Sequence, residues 1–155
     1  MLAVTAGTGL RFGEISALWV GDVDLDRGTV RVNKAWKRNG EDDATETPGW
    51  LSRQLRAKHT MRDHHLGHPK TPRSRRTTIA PTVAALLEKS IKGRPADDFV
   101  FTSRTGLPLH NGDFYTHVWR KLMAAVVAEG LAPFRFHDLR HTQAIGGDGT
   151  FGQVQ

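Results

Sequence analysis

The sequence lacks the residues on which several classes of protein depend. Its 155 residues include no cysteine, which excludes a disulfide framework and any thiolate site. No apolar run in it approaches the roughly 18 residues that a membrane span requires. Its first residues carry no basic leader of the kind that opens a signal peptide. We therefore expect a cytoplasmic protein without a membrane partner.

Acidic residues are outnumbered by basic ones. The chain has 16 Asp and Glu against 22 Lys and Arg, which gives a formal net charge of +6 and a pI near 10.2. This balance favours polyanionic partners, although charge alone does not choose between nucleic acid and another anionic surface. The length and a hydrophobic content of 38% fit one domain with its own core.

Residues 134–142 (Phe-Arg-Phe-His-Asp-Leu-Arg-His-Thr) place two phosphate-seeking side chains three residues apart. If a helix opens after Pro133, His137 and Arg140 share one face, and Leu139 turns toward a core. A guanidinium offers two parallel donors to phosphate oxygens, an imidazole can donate or shuttle a proton, and a helix N-terminus adds free N–H groups. The alternative is an ordinary helix start with a surface histidine and a solvated arginine.

A second polar pair lies near the start of the chain. The pattern predicts helix over residues 1–20 with a break at residues 7–9, and it places Arg11 and Glu14 together, off the apolar face. By itself such a pair is a surface ion pair of little energetic value. The apolar face comprises Leu10, Ile15, Leu18 and Trp19.

Three stretches, taken in order, resemble the tyrosine recombinases, which form the phage-integrase family. They are residues 8–18 (Thr-Gly-Leu-Arg-Phe-Gly-Glu-Ile-Ser-Ala-Leu), residues 70–76 (Lys-Thr-Pro-Arg-Ser-Arg-Arg) and residues 137–142 (His-Asp-Leu-Arg-His-Thr). The resemblance implies a mainly α-helical catalytic domain with a small antiparallel sheet at one edge. It also implies site-specific DNA recombination and integration, in which strands are broken and rejoined through a phosphotyrosine intermediate.

The resemblance also assigns roles to single residues. Arg11 and Arg140 would grip the scissile phosphate, and Glu14 would orient Arg11. Lys70, at the tip of the hairpin between the second and third strands, would protonate the leaving oxygen, and His137 completes the catalytic set. The implied partners are duplex DNA, through its phosphate backbone, and other recombinase protomers.

The basic turn around Lys70 has a plainer interpretation. Arg73, Arg75 and Arg76 surround that lysine with positive charge, and a solvated basic loop, or one that holds DNA phosphates by charge alone, would look the same. Before this turn, residues 37–68 show no sustained period and predict a long loop or insertion. Four histidines crowd it, but zinc ligands normally come from ordered elements at defined spacing. We expect no metal site and no cofactor.

Three regular elements are predicted outside the motifs. Residues 28–34 alternate as a half-buried strand should, and residues 81–92 and 111–129 predict amphipathic helices, the second stopped at Gly130. The expected core positions of the two helices are Val83, Leu86, Leu87, Ser90, Ile91, Phe114, Val118, Leu122 and Val126.

Tyr115 is the only tyrosine in the chain, and it precedes His137, whereas the family places its nucleophile well after that histidine. The chain leaves the family pattern at about Ile145, and residues 146–155 form a glycine-rich tail. We therefore expect residues 1–145 to be a partial catalytic domain without the nucleophile and the second histidine motif. The alternative function is a non-catalytic DNA-binding remnant of a truncated integrase.

Overall fold

The computed structural model describes residues 1–38, 47–57, 61–69 and 74–140. The helices in these ranges are α1 (Leu2–Thr8), α2 (Phe12–Ile15), α3 (Gly49–Ala57), α4 (Pro81–Ile91), α5 (Asn111–Phe114) and α6 (Arg120–Ala128). The strands are β1 (Val23–Asp24), β2 (Thr29–Val32), β3 (Ala35–Arg38), β4 (His64–Gly67) and β5 (Arg75–Thr78). The mainly helical fold with a small antiparallel sheet is confirmed.

The first sheet has the order β1-β2-β5 with antiparallel pairing throughout. Val30 and Val32 of β2 are buried, whereas Arg31 between them is exposed, as period-two alternation requires. The turn before β2 ends at Gly28, whose φ of 57° is a left-handed conformation that glycine adopts without strain. The strand predicted within residues 28–34 is therefore confirmed.

The prediction of a long loop over residues 37–68 is wrong for the described part of that range. Strand β3 pairs with β4 in a second antiparallel sheet, and helix α3 precedes β4. This segment has its own apolar cluster, which is why it folds: Leu51, Leu55, Met61 and Leu66 are buried against Ala17 and Phe99. The strands are four residues long and carry Lys37, Arg38, His64 and His65, so the sequence shows too little apolar alternation to predict them.

The larger core joins α1, α2, α4 and the first sheet to the aromatic residues near the end of the described chain. Its buried members are Val4, Leu10, Ile15, Leu18, Val30, Val32, Ile79, Val83, Leu87, Ile91, Val100, Phe114, Trp119 and Phe136. In the part of the chain that the structure describes, no helix is long and apolar enough to cross a bilayer.

Helix α4 begins with Pro81 at its first turn, where the missing N–H costs nothing. Val83, Leu87 and Ile91 are buried and follow one another at a spacing of four residues. Leu86 and Ser90 were expected in the same stripe, but Leu86 is 55% exposed and Ser90 is also exposed. Ala84 also packs against this core, so the buried side of α4 runs through residues 83, 84, 87 and 91, and Leu86 lies on the solvent side.

Helices α5 and α6 are continuous through a π-helical turn, Tyr115–Trp119. Phe114 is buried as predicted, but the next buried residue is Trp119, and the predicted Val118 is 46% exposed. A π turn bonds residue i to residue i+5, so it inserts one residue and rotates everything after it relative to an ideal α-helix. The prediction used an uninterrupted period of 3.6. Leu122 and Val126 are half-buried, and Gly130 ends the helix region with a φ of 77°.

Candidate functional site

The first predicted motif is built on the sharp stop between α1 and α2. Gly9 ends α1 in a left-handed conformation, with a φ of 63°, and Arg11 is extended just before α2. The backbone N–H of Arg11 donates to Oε2 of Glu14 at 2.9 Å. This bond closes the first turn of α2, because the carboxylate satisfies an N–H that the helix leaves unpaired. The helical break predicted at residues 7–9 is therefore confirmed.

Glu14 is a buried carboxylate, with only 2% of its surface exposed. Arg75 on β5 reaches it from 61 residues away and donates to both oxygens, from Nη1 to Oε1 at 3.1 Å and from Nη2 to Oε2 at 2.8 Å. Arg11 contributes a longer contact, 3.5 Å from its Nη1 to Oε1. The Arg11–Glu14 pair is thus part of a network around a buried carboxylate, and the interpretation of an ordinary surface ion pair is wrong.

The charge state of Glu14 follows from this network. Burial by itself would raise the pKa of Glu14, but the hydrogen bonds from the Arg75 side chain and the Arg11 backbone, with the positive charges of both arginines, outweigh burial and hold that pKa below its usual value. Glu14 is therefore ionised at neutral pH. Its negative charge partly neutralises the guanidinium groups of Arg11 and Arg75.

The second predicted motif begins differently from the expectation. Pro133 does not open a helix; the first turn is a 3₁₀ turn, Phe136–Asp138, and residues 139 and 140 are helical. Asp138 accepts the backbone N–H of Arg135 at 2.8 Å and so caps this turn in the way that Glu14 caps α2. Proline removes one donor and fixes φ, but it does not determine where a helix starts.

Arg140 is half-buried, and its charge is coupled to the first motif. Burial lowers the pKa of Arg140, and the positive charge of Arg11 lowers it further, while Glu14 raises it and Arg75 lowers it. These three groups are therefore Arg140's electrostatic neighbours. The charges of Arg11 and Arg140 are therefore close enough to affect each other, as the binding of one phosphate by both would require.

Aromatic packing explains how two motifs more than 120 residues apart meet. Phe12 follows Arg11 directly, Phe136 precedes His137 directly, and their ring centroids lie 5.6 Å apart, edge to face. Both rings also contact Phe114, at 5.3 and 5.4 Å. Such offset and edge-on arrangements are the favourable ones for aromatic pairs. The side chains next to the polar residues thus fix the relative position of the two motifs.

The predicted site residues have different outcomes. Arg11 and Arg140 are close enough for their charges to interact, and His137 has an exposed side chain on the 3₁₀ turn Phe136–Asp138. Lys70 lies outside the described residues, as do His141, Thr142 and the glycine-rich tail at 146–155. The catalytic roles of the four residues therefore stay predictions.

Arg75 was missed as a partner of Glu14. The sequence identified it only as one of several cations near Lys70. The alternation of β5 was the available signal, since Arg75 and Arg76 must face opposite sides of the sheet. Nothing in the sequence indicates which of the two faces a buried carboxylate.

The histidine-rich segment gives no ligand set in the part that the structure describes. Within residues 1–38, 47–57, 61–69 and 74–140, no three His, Asp or Glu side chains are placed to hold a metal ion. His64 instead contacts His110 edge to face, with ring centroids 5.7 Å apart. His59 lies outside the described residues.

Tyr115, on the π turn, is half-buried and packs against Phe114 and Trp119, with ring centroids 6.1 and 6.2 Å apart. Burial raises the pKa of the Tyr115 hydroxyl, and the negative charge of Asp138 raises it further, against a smaller opposing effect of Arg135. A raised pKa makes the phenolate harder to form. This environment is the opposite of what activates a nucleophile.

Residues 52–145 match the family model described as "Phage integrase family", and this match covers more than half of the chain. The chain belongs to the phage integrase family. The family resemblance inferred from the three motifs is therefore confirmed. Sequence comparison with curated proteins finds no match.

Solved structures show the same fold in integrases and recombinases. A Tn1549 transposon integrase in complex with a circular intermediate DNA has a TM-score of 0.68 and 20% identity, covering 96% of this chain and 46% of that one. The same integrase in complex with transposon right end DNA gives a TM-score of 0.67, also at 20% identity and with the same coverage of both chains. XerA recombinase gives 0.55 at 19% identity, covering 96% of this chain and 43% of that one. This chain spans less than half the length of these proteins, and at such identity the likeness concerns the fold.

Proposed function

We propose that this integrase-family chain forms the phosphate-binding part of a site-specific DNA recombinase that acts on duplex DNA. The observation that carries the proposal is the contact of the Phe12 and Phe136 rings, which joins the two motifs and sets Arg140 within electrostatic range of Arg11 and of the buried, ionised Glu14. Two guanidinium groups at one place can donate to the non-bridging oxygens of a single phosphate, and Glu14 keeps them from repelling each other fully. The DNA complexes of Tn1549 integrase agree with this choice of ligand.

The proposed reaction is DNA recombination and integration, in which strands are broken and rejoined through a phosphotyrosine. The two arginines would stabilise the negative charge that develops on the phosphate. His137, exposed beside Arg140, would donate or transfer a proton, and Lys70 would protonate the leaving oxygen. We place this activity in the cytoplasm, with duplex DNA as the ligand.

A second candidate, DNA binding without cleavage by this polypeptide, is favoured by one observation. Tyr115, the only tyrosine in the sequence, packs among aromatic side chains and has a raised pKa. Covalent chemistry would then require a tyrosine other than Tyr115. Both candidates share the phosphate site and differ only in whether a covalent DNA adduct forms.

A salt titration tests the proposal. We expect a short duplex, followed by fluorescence anisotropy, to bind more weakly as salt rises, with a slope of log K against log salt of about −0.9 for each phosphate neutralised. Arg140→Ala should reduce that slope by about one contact. The matched control is Arg27→Ala, because Arg27 is 79% exposed and already paired with Asp24 on the surface. Binding that is absent at low salt, or insensitive to salt, would contradict the proposal.

A further inference from the structure

The Glu14 carboxylate is shared unequally between two arginines. Arg75 makes two short bonds to it, at 3.1 and 2.8 Å, in the parallel arrangement that suits a guanidinium and a carboxylate. The Arg11 guanidinium lies 3.5 Å from one oxygen through Nη1, at the limit of a hydrogen bond. The carboxylate is therefore committed mainly to Arg75, and the remaining guanidinium donors of Arg11 are not engaged by Glu14.

Because Glu14 is buried, it matters which arginine neutralises its charge. Glu14 is 2% exposed, so water cannot solvate its charge, and a buried carboxylate must be neutralised by whichever cation can reach it. Arg75 performs that task from β5. Without Arg75, the nearest cation is Arg11, whose backbone N–H already fixes Glu14 at 2.9 Å.

We propose that Arg75 is a positioning residue that holds the Glu14 carboxylate and so keeps the Arg11 guanidinium available to phosphate. The inference rests on the proposed function, because it names what keeps the proposed phosphate ligand in its binding state. When Arg75 is absent, Glu14 pairs with the Arg11 side chain directly, and this ion pair competes with phosphate for the same donors.

The neighbouring residue on the strand provides an internal comparison. Arg76 carries the same charge one position later, but alternation turns it to the other side of the sheet, 4.0 Å from Asp24. Arg75 and Arg76 therefore add equally to the general positive field of the protein. Only Arg75 contacts the carboxylate that competes for Arg11.

The test is a set of variants titrated with orthovanadate, a phosphate mimic, followed by vanadium NMR. Arg75→Gln should weaken binding about tenfold, the scale of a lost charged hydrogen bond, and Arg76→Gln should leave it within about twofold, as expected of a distant surface charge. Arg75→Lys should fall between them, because one ammonium cannot bond both carboxylate oxygens in parallel.

The decisive variant is the double substitution Glu14→Gln with Arg75→Gln. The neutral amide at position 14 can still accept a hydrogen bond from the Arg11 backbone N–H. Because it carries no charge, it no longer competes with phosphate for the Arg11 side chain. We expect vanadate affinity to recover most of the loss seen in Arg75→Gln alone. If Arg75 contacted the phosphate itself, or served only to stabilise the fold, the double variant would remain as weak as the single one, and the inference would be overturned.

A second readout needs no ligand and separates this inference from the proposed function. Phenylglyoxal modifies accessible guanidinium groups, and peptide mass spectrometry reports its rate at Arg11. The rate should fall in Arg75→Gln and recover in the double variant. If the Arg75→Gln substitution left the modification rate at Arg11 unchanged, the role of Arg75 would be overturned. If the protein without substitutions bound no vanadate, the phosphate site itself would be overturned.

Discussion

The rings of Phe12 and Phe136 meet edge to face, 5.6 Å between centroids, and each ring is next in sequence to a proposed site residue, Arg11 or His137. Trp119 completes the arrangement, with its ring 5.5 Å from Phe136 and 6.4 Å from Phe114. The distance between Arg11 and the 136–140 turn is therefore set by an apolar cluster. A substitution that loosens the packing of this cluster should therefore also change the geometry of the site.

The π turn gives a prediction about stability that separates two neighbouring residues. Trp119→Ala should lower the free energy of unfolding by about 3–5 kcal/mol, because it removes a large ring from a packed core. Val118→Ala should change it by less than about 0.5 kcal/mol, because that side chain is exposed. Urea unfolding monitored by far-UV circular dichroism measures both. Equal losses would mean that the helix keeps a regular period of 3.6 and that Val118, not Trp119, faces the core.

Patterns with a clear physical basis could be predicted from the sequence. The glycine stop before Arg11, the alternation of β2 and the apolar stripe of α4 follow from local rules, and the structure has each of them. Arg11 and Arg140 could be identified as candidates because the motifs that contain them are specific. That their charges would lie near each other could be expected only from the family resemblance.

Features that depend on distant contacts could not be predicted. The β3–β4 ribbon is stabilised by Leu66 packing with Leu51, Leu55 and Met61, while half of its own residues are charged or histidine. Trp119, at the end of the π turn, packs against Phe114 and Phe136, and no local pattern indicates these contacts. The pairing of Arg75 with Glu14 spans 61 residues, and sequence alternation shows only that Arg75 and Arg76 face opposite ways.

Tyr115 gives a prediction about covalent chemistry. We expect the isolated polypeptide to form no covalent adduct with a nicked duplex, because the raised pKa and aromatic packing of Tyr115 oppose its use as a nucleophile. An attacking oxygen must also lie in line with the leaving oxygen and within about 3–3.5 Å of phosphorus. Denaturing gel electrophoresis of labelled DNA is the measurement.

The control for this experiment is Tyr115→Phe, which keeps the ring and removes only the hydroxyl. A protein–DNA band that survives denaturation in the unmodified chain and vanishes in Tyr115→Phe would show that Tyr115 is the nucleophile after all. A band that persists in both would point to a serine or threonine hydroxyl. Either band would contradict the prediction.

The central claim is that Arg11 and Arg140 bind one phosphate. Its test requires a control arginine whose removal changes the net charge equally but does not disturb the fold. Arg31 is a poor choice, because it donates from Nε and Nη2 to the buried carboxylate of Asp22 at 3.2 and 3.1 Å. Removing it would disturb the fold. Arg27 is better, since its side chain is 79% exposed and its partner Asp24 lies on the surface.

The most direct measurement is the orthovanadate affinity of Arg11→Ala, Arg140→Ala, their double variant and Arg27→Ala, all at one salt concentration. We expect each of the first two to lose about tenfold or more, consistent with charged hydrogen bonds to one anion, and Arg27→Ala to bind as the unmodified protein does. The double variant should lose less than the product of the single losses, because the two residues share one ligand. Equal small losses in all three single variants would show that the anion responds only to net charge, and the claim of a built phosphate site would be wrong.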